Sequence, residues 1–189
     1  HIPRSFLVTA LLLASSPLLA AGVLLTNAVI YDGTGRPPFR GDVRVEGERI
    51  AAVAPHLAAK QGETVLDQGG LALAPGFIDM HSHGSRGLGD DLDAATVSRQ
   101  GITTILVGQD GESNFPLRDY LAQLAANPPA INLASMVGHA TLREQVMGTD
   151  LYRASTPQEL AQMKVLLARE LTAGAFGLST GLEYEAAHF

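Results

Sequence analysis

The chain has 189 residues, of which 46% are apolar and 17% charged, a composition typical of a globular protein rather than a disordered or fibrous one. Its formal net charge is -6 and it has no long run of Lys or Arg, which argues against nucleic acid as a partner because phosphate binding depends on clustered positive charge. The absence of Cys excludes a disulfide framework and lipid attachment through a Cys.

Residues 1–22 differ in composition from the rest of the chain. Arg4 precedes an apolar stretch at residues 6–14, and small residues at 20–22 offer a cleavage site. This pattern predicts a secretory signal peptide, and therefore a secreted or periplasmic protein. The alternative is a buried N-terminal helix. The stretch is shorter than the roughly 20 residues of a membrane span, so we expect no stable span after signal cleavage.

Residues 23–74 contain short extended segments at 24–30, 42–46 and 49–53, separated by turns rich in Gly and Pro. Such spacing predicts a small β unit. Apolar and polar residues alternate imperfectly within it. The pattern therefore leaves open whether this unit closes on itself or needs strands from elsewhere.

The pattern of the chain changes after residue 74. Near-continuous apolar runs at 101–107, 130–137 and 175–179 predict strands that are covered by helices on both faces. A further strand is predicted near residue 76.

Helices are predicted between these strands. One begins at Pro116 and ends at residues 127–129, and a shorter one covers residues 91–100. A third begins with a capping-box pattern at residues 156–159 and ends before Gly174.

Four strands, each followed by or leading to a helix, give about four βα units over residues 75–189. A complete (β/α)8 barrel takes roughly 250 residues. The sequence therefore predicts an α/β fold in which residues 75–189 form the first half of a (β/α)8 TIM barrel. The alternative for four parallel strands is a small open doubly wound sheet.

In parallel α/β folds the functional groups collect at the carboxyl ends of the strands, so the polar residues that follow each apolar run are the candidates for a site. They are His81 and His83 after the first strand, Gln109 and Asp110 after the second, His139 after the third, and Ser179 and Thr180, with Glu183 and Tyr184 close behind, after the fourth.

His81 and His83 lie two residues apart, so on a strand both imidazoles face the same side and can bind one ion. We interpret Asp110 as a third metal ligand, with a turn residue in Asp-Gly as the alternative. His139 is a candidate catalytic residue in the pocket, or else a structural histidine. Asp79 shares the face of the two histidines, so it either hydrogen-bonds an imidazole or has a buried structural role.

These segments together resemble the amidohydrolase superfamily, and within it the D-aminoacylase (N-acyl-D-amino-acid deacylase) group. Residues 75–83 are similar to the first metal-binding strand of the superfamily. Residues 101–108, 136–143 and 177–184 are similar to the second, third and fourth barrel segments of the group, and residues 26–35 to its opening strands.

The resemblance implies a fold for both parts of the chain. Residues 75–189 would form the first four βα units of an incomplete TIM barrel. Residues 23–74 would form the N-terminal part of a small β-sandwich domain that is completed by C-terminal strands.

The resemblance also implies an activity and a cofactor. The activity is hydrolysis of the amide bond of N-acyl-D-amino acids or related small amides. The cofactor is zinc, as one or two divalent ions bound by His81 and His83, with two further His ligands and a general-base Asp beyond Phe189. Tyr184 and Ser179 are expected to bind the small-molecule substrate.

Residues 108–111, Gly-Gln-Asp-Gly, depart from the Gly-Asn-Cys-Gly of this group. A carboxylate coordinates zinc at about 2.0–2.2 Å, but it is a harder ligand than thiolate and would alter metal affinity.

Two alternatives for the function stay open. One is another amidohydrolase, such as a cyclic amide hydrolase, a dihydroorotase-like enzyme or a deaminase. The other is a catalytically inactive exported binding protein. We expect the 189 residues alone to be inactive and poorly stable, because half a barrel leaves a strand edge unpaired.

Overall fold

The computed structural model describes residues 22–184 of the chain. The predicted signal peptide over residues 1–22 lies outside the described residues except for Gly22. The chain divides into two compact units, with Pro75 as the last residue of the first and Gly76 as the first residue of the second. Helices and strands are both present, so the predicted α/β class is confirmed.

The first unit contains a five-stranded sheet. Its strands are β1 (Val23–Ile30), β2 (Phe39–Glu46), β3 (Arg49–Ala54), β4 (Thr64–Asp67) and β5 (Ala72–Leu73). β1 pairs antiparallel with β2 and parallel with β4 and β5, and β3 pairs with the other side of β2. The sequence pattern predicts β1, β2 and β3 through the extended segments at 24–30, 42–46 and 49–53. It misses β4 and β5, which have four and two residues and are too short to show alternation.

The core of the first unit contains Ala28, Ile30 and Val43, which are all buried. Other apolar side chains of the same sheet stay in contact with solvent. Ile50 and Val53 on β3 are 68% and 46% exposed. The sheet therefore does not bury all of its apolar side chains.

The second unit is built on parallel strands. They are β6 (Phe77–Asp79), β7 (Ile102–Val107), β8 (Asn132–Ser135), β9 (Val137–Gly138) and β10 (Leu178–Ser179). β6, β7 and β8 pair in sequence order, and β9 pairs with β10. Only Met136 separates β8 from β9, so these two strands form one nearly continuous extended stretch that pairs with β7 through β8 and with β10 through β9.

The described part of the second unit has four helices. They are α1 (Ala95–Ser98), α2 (Leu117–Ala126), α3 (His139–Met147) and α4 (Pro157–Thr172). α2 begins where predicted, and so does α4, with Thr156 and Glu159 forming the predicted capping box. Within residues 22–184, no helix combines the length and the apolar content that crossing a membrane requires.

The prediction was wrong in detail for α1 and missed α3. α1 has four residues instead of the ten predicted at 91–100, because Ala94 adopts a left-handed φ of 45° that a helix does not allow. In α3, consecutive residues from Ala140 to Arg143 are all buried. No single apolar stripe therefore marks α3 as a surface helix.

Apolar residues along α4 differ in burial. Met163 is buried, whereas Leu160 and Leu171 are 45% and 42% exposed. Glu170 is only 2% exposed, and its Oε2 accepts a hydrogen bond from the Leu117 backbone N–H at 2.6 Å. This carboxylate satisfies one of the free N–H groups at the start of α2 and so connects the two helices.

Replacing Thr156 with Ala removes the hydroxyl that accepts a hydrogen bond from the Glu159 backbone N–H. We expect the free energy of unfolding of the intact protein to fall by about 1 kcal/mol, as is typical when an N-cap residue is lost. Urea denaturation measures the change. The matched control is Thr172→Ala on the same helix, because the exposed Thr172 hydroxyl only donates to the Ala168 carbonyl. Equal losses in the two variants would contradict the capping role.

The exposed apolar side chains at the edge strand lead to a second prediction. Phe77, Ile78 and Met80 are 68%, 62% and 62% exposed, and among the described strands β6 pairs only with β7. We expect the 189 residues by themselves to unfold over a broad temperature range, because this edge and this apolar surface are uncovered. Circular dichroism during heating measures this, with the intact protein as control. A sharp cooperative transition of the 189 residues would show that the prediction is wrong.

Candidate metal centre

The pairing of β6 with β7 continues past the last residue of β6. The Ser82 N–H donates to the Leu106 carbonyl at 3.0 Å, and Ser82 is buried. Successive residues of an extended chain point to opposite sides, so His81 and His83 share the side opposite Ser82. Their ring centroids are 5.6 Å apart. The two imidazoles therefore lie together, as their spacing predicts.

Asp79 contributes to the backbone conformation here. Its Oδ1 accepts a hydrogen bond from the His81 backbone N–H at 3.1 Å. Of the two roles considered for Asp79, this contact corresponds to the structural one, because it involves the backbone and not an imidazole.

Asp110 brings a carboxylate to the two imidazoles. Its Oδ2 lies 3.2 Å from His81 Nε2 and 3.1 Å from His83 Nε2. Within residues 22–184 these three side chains are the one group of three or more His, Cys, Asp or Glu donors whose ligand atoms converge, all within 4.8 Å of one another. The side chains of His81, His83 and Asp110 are 60%, 55% and 32% exposed. The donors therefore meet where a ligand can reach them.

This donor set fits a divalent metal ion. Two ligands that are each about 2.0–2.1 Å from a tetrahedral Zn²⁺ lie about 3.3 Å apart. The separations from Asp110 Oδ2 to the two imidazoles are close to that value. Imidazole and carboxylate are both ligands of zinc and related ions. Three protein donors with an exposed side are typical of a catalytic zinc site rather than a structural one.

Asp110 lies in a tight turn. Asp110 and Gly111 have φ values of 59° and 87°, and the Glu112 N–H donates to the Gln109 carbonyl at 3.2 Å. Positive φ at both central residues is typical of mirror-image turns, which favour Asp and Gly. The two interpretations of Asp110 from the sequence, ligand and turn residue, are therefore compatible.

Side chains tie this turn to the strands on either side. Gln109 Nε2 donates to the Met80 carbonyl at 2.8 Å. The buried hydroxyl of Ser179, at the end of β10, donates to the Gly108 carbonyl and accepts from the Gly111 N–H at 3.2 Å. Ser179 is predicted to contact substrate, and in this structure its only hydroxyl proton points to the turn.

His139 is the first residue of α3 and lies outside the group of three converging donors. Its Nδ1 is buried and has no hydrogen-bond partner among the described residues. Burial, together with the positive charge of Arg143, lowers the pKa of His139 below its ordinary value. Its surroundings therefore favour the neutral form of the ring.

Tyr184 lines a cavity of about 160 Å³ that two of the three donors, His83 and Asp110, also line. The residues around this cavity are His83, Arg86, Gln109, Asp110, Glu112 and Tyr184. Arg86 and Glu112 form an exposed ion pair at 3.3 Å. The strand-end rule selects Gln109 together with Asp110. Arg86 is missing from the candidates taken from the sequence, because it lies in a turn-rich segment for which the sequence has no such signal.

Parallel strands with two His and one Asp at their carboxyl ends define a candidate metal-dependent α/β enzyme. Comparison with protein families identifies the class of enzyme more closely. The family model described as "Amidohydrolase family" matches residues 64–188 of this chain. The chain belongs to the amidohydrolase family.

Comparison with individual proteins shows which members of the family are similar to this chain. The chain is 38% identical to the D-aminoacylase of Alcaligenes xylosoxydans xylosoxydans, over 86% of this chain and 38% of that protein. It is 40% identical to the N-acyl-D-aspartate deacylase of the same organism, over 87% of this chain and 37% of that protein. The resemblance to the D-aminoacylase group that the sequence indicates is therefore confirmed.

A solved structure is also similar. The N-acyl-D-glutamate deacylase of Bordetella bronchiseptica, complexed with zinc and a phosphonate inhibitor, matches with a TM-score of 0.81 at 36% identity. The match covers 88% of this chain and 39% of that one. The chain spans just under two fifths of the length of these relatives.

Removing one imidazole tests the donor set. We expect His81→Ala in the intact protein to lower zinc affinity by more than about tenfold, because losing a ligand costs more than losing a residue that orients one. Elemental analysis after dialysis against a weak chelator measures the retained metal. His56→Ala is the matched control, because this exposed histidine of the first unit lies outside the converging donors. Unchanged metal content in His81→Ala would rule out the ligand assignment.

Proposed function

We propose that the intact protein is a metal-dependent hydrolase that uses water to cleave the amide bond of N-acyl-D-amino acids or related small amides. The observation that carries the proposal is the convergence of His81, His83 and Asp110 at neighbouring strand ends in a chain of the amidohydrolase family. The two deacylases and the D-aminoacylase to which the chain is similar support this class of substrate.

We propose zinc, as one or two divalent ions, for the cofactor. His81, His83 and Asp110 would hold it. When bound, such an ion polarises the amide carbonyl and lowers the pKa of a water molecule towards about 7. The zinc in the related N-acyl-D-glutamate deacylase structure supports this choice. Asp110 would supply a negative charge and a hard oxygen donor to the ion.

Substrate would bind in the cavity beside these donors. Tyr184 lies on the cavity wall, where its ring and hydroxyl could orient the acyl-amino acid. His139 remains the candidate for a further pocket residue, since its buried Nδ1 has no partner among the described residues and is free to accept or donate a hydrogen bond. Ser179 is also proposed to belong to the substrate site, although its hydroxyl proton is directed to the turn that carries Asp110.

The fold proposed for the second unit is the first half of a TIM barrel. The parallel pairs β6 with β7, β7 with β8 and β9 with β10 all follow sequence order, as a barrel requires, whereas a doubly wound sheet reverses its strand order. For the first unit we propose part of a small β-sandwich. The apolar groove of about 260 Å³ beside Ile50 and Val53 supports this proposal, because a second sheet would cover it.

Secretion or export to a periplasm is proposed from residues 1–22 alone. Small molecules, and not nucleic acid, are the partners we propose, because the chain is acidic and the candidate cavity is small.

Assays of the intact protein with N-acyl-D-amino acids, their L-enantiomers and cyclic ureides test the activity. We expect hydrolysis of the D-enantiomers, its loss with a chelator and its recovery with zinc. Asp110→Asn should lower kcat/KM by at least about 100-fold, because the ligand charge is lost. Asp150→Asn is the matched control, since this exposed carboxylate pairs with Arg153 away from the three donors.

The other outcomes identify the alternatives. Hydrolysis of cyclic ureides alone would assign the protein to another amidohydrolase activity. Failure to bind metal, together with no hydrolysis of any of these substrates, would identify a binding protein that retains the fold.

A further inference from the structure

Ser179 joins the two ends of the segment that carries Asp110. Its hydroxyl donates to the Gly108 carbonyl and accepts from the Gly111 N–H. These two backbone groups belong to residues i and i+3 of a four-residue segment, and in an ordinary β-turn they would bond to each other. Here the hydroxyl of a residue 68 positions further along the chain lies between them and bonds to both.

The bridged segment has a left-handed backbone conformation at three of its four residues. Gly108, Asp110 and Gly111 have φ values of 79°, 59° and 87°. Gly adopts such values freely, and Asp tolerates them better than most residues with a side chain, although contacts with the surroundings still stabilise them. Contacts from outside the segment therefore hold the Asp110 backbone in place.

The neighbouring backbone leaves the segment little freedom. A Cβ atom on Gly181, two residues after Ser179, would collide with the Asp110 carbonyl oxygen. A Cβ atom on Gly138 would likewise collide with the Gly111 carbonyl oxygen. Ser179 is 8% exposed. The ends of β9 and β10 therefore pack directly against the turn, and Ser179 supplies a buried hydrogen-bonding side chain at this contact.

We infer that Ser179 is a positioning residue that sets the metal affinity of the site through Asp110. The inference rests on the proposed role of Asp110 as a metal ligand. Ser179 acts by fixing the turn, so that the Asp110 carboxylate stays opposite the two imidazoles without having to be reordered when metal binds. Residues that orient metal ligands in this way commonly change metal affinity by about 10–100-fold.

Titration of the metal-stripped intact protein with Co²⁺ tests the inference, because the visible absorption of Co²⁺ reports both affinity and ligand geometry. Ser179→Ala should weaken Co²⁺ binding by at least about tenfold and change the absorption spectrum. Ser179→Thr keeps the hydroxyl and should restore both. Ser135→Ala is the matched control, because Ser135 is 2% exposed and its hydroxyl donates only to the Met136 carbonyl. This control should bind Co²⁺ like the wild type.

Asp110→Asn separates failure of the inference from failure of the proposed function. Wild-type affinity in Asp110→Asn would overturn the ligand assignment. Loss of affinity in Asp110→Asn combined with wild-type affinity and spectrum in Ser179→Ala would leave the ligand in place and overturn the role of Ser179.

The double variant distinguishes positioning from general destabilisation. If Ser179 acts through Asp110, adding Ser179→Ala to Asp110→Asn causes little further loss, whereas independent effects would add. Additive losses would overturn the inference. If Ser179→Ala fails to fold, Ser179→Thr tests the inference instead. A folded Ser179→Thr protein whose Co²⁺ affinity is reduced tenfold or more would overturn the positioning role of Ser179.

Discussion

The parallel pairing of β6 with β7 is the constraint on which the candidate metal centre depends. The imidazoles and the carboxylate are 29 and 27 positions apart in sequence, and they meet because the carboxyl ends of adjacent parallel strands lie side by side. The register is as important as the pairing. The Ser82 N–H bonds to the Leu106 carbonyl, and a shift of one residue would turn both imidazoles towards the buried side that Ser82 now occupies. Metal affinity and the stability of this strand pair are therefore linked.

The chemistry of the centre is set by oxygen and nitrogen donors alone among the described residues. A carboxylate is harder than the thiolate expected at this position from the D-aminoacylase group, so the site should favour borderline and hard divalent ions over soft ones. Asp110 Oδ2 contacts both imidazoles, which places negative charge where a cation would bind.

Helices that depend on contacts between residues close in sequence could be predicted, and features that depend on contacts between distant residues could not. α4 could be predicted because the capping box of Thr156 and Glu159 is a local pattern. α1 and α3 could not, because the left-handed Ala94 and the burial of α3 on several sides depend on packing. The burial of Glu170 had no signal in the sequence either, since its partner is the Leu117 N–H, 53 positions away. In the site, the strand-end rule identifies all three converging donors but also selects His139, which lies outside that group.

By itself, the sequence determined that His81 and His83 act as a pair, because a spacing of two residues on an extended chain places both side chains on one side whatever surrounds them. It also indicated where the main strands of the second unit lie along the chain, and it indicated the family. Only the tertiary structure decided that the Asp110 side chain reaches this pair from a left-handed turn, and that the hydroxyl proton of Ser179 goes to the Gly108 carbonyl. Those contacts join residues far apart in the chain. Their distances are set by strand register and by close backbone packing, which no local pattern of residues encodes.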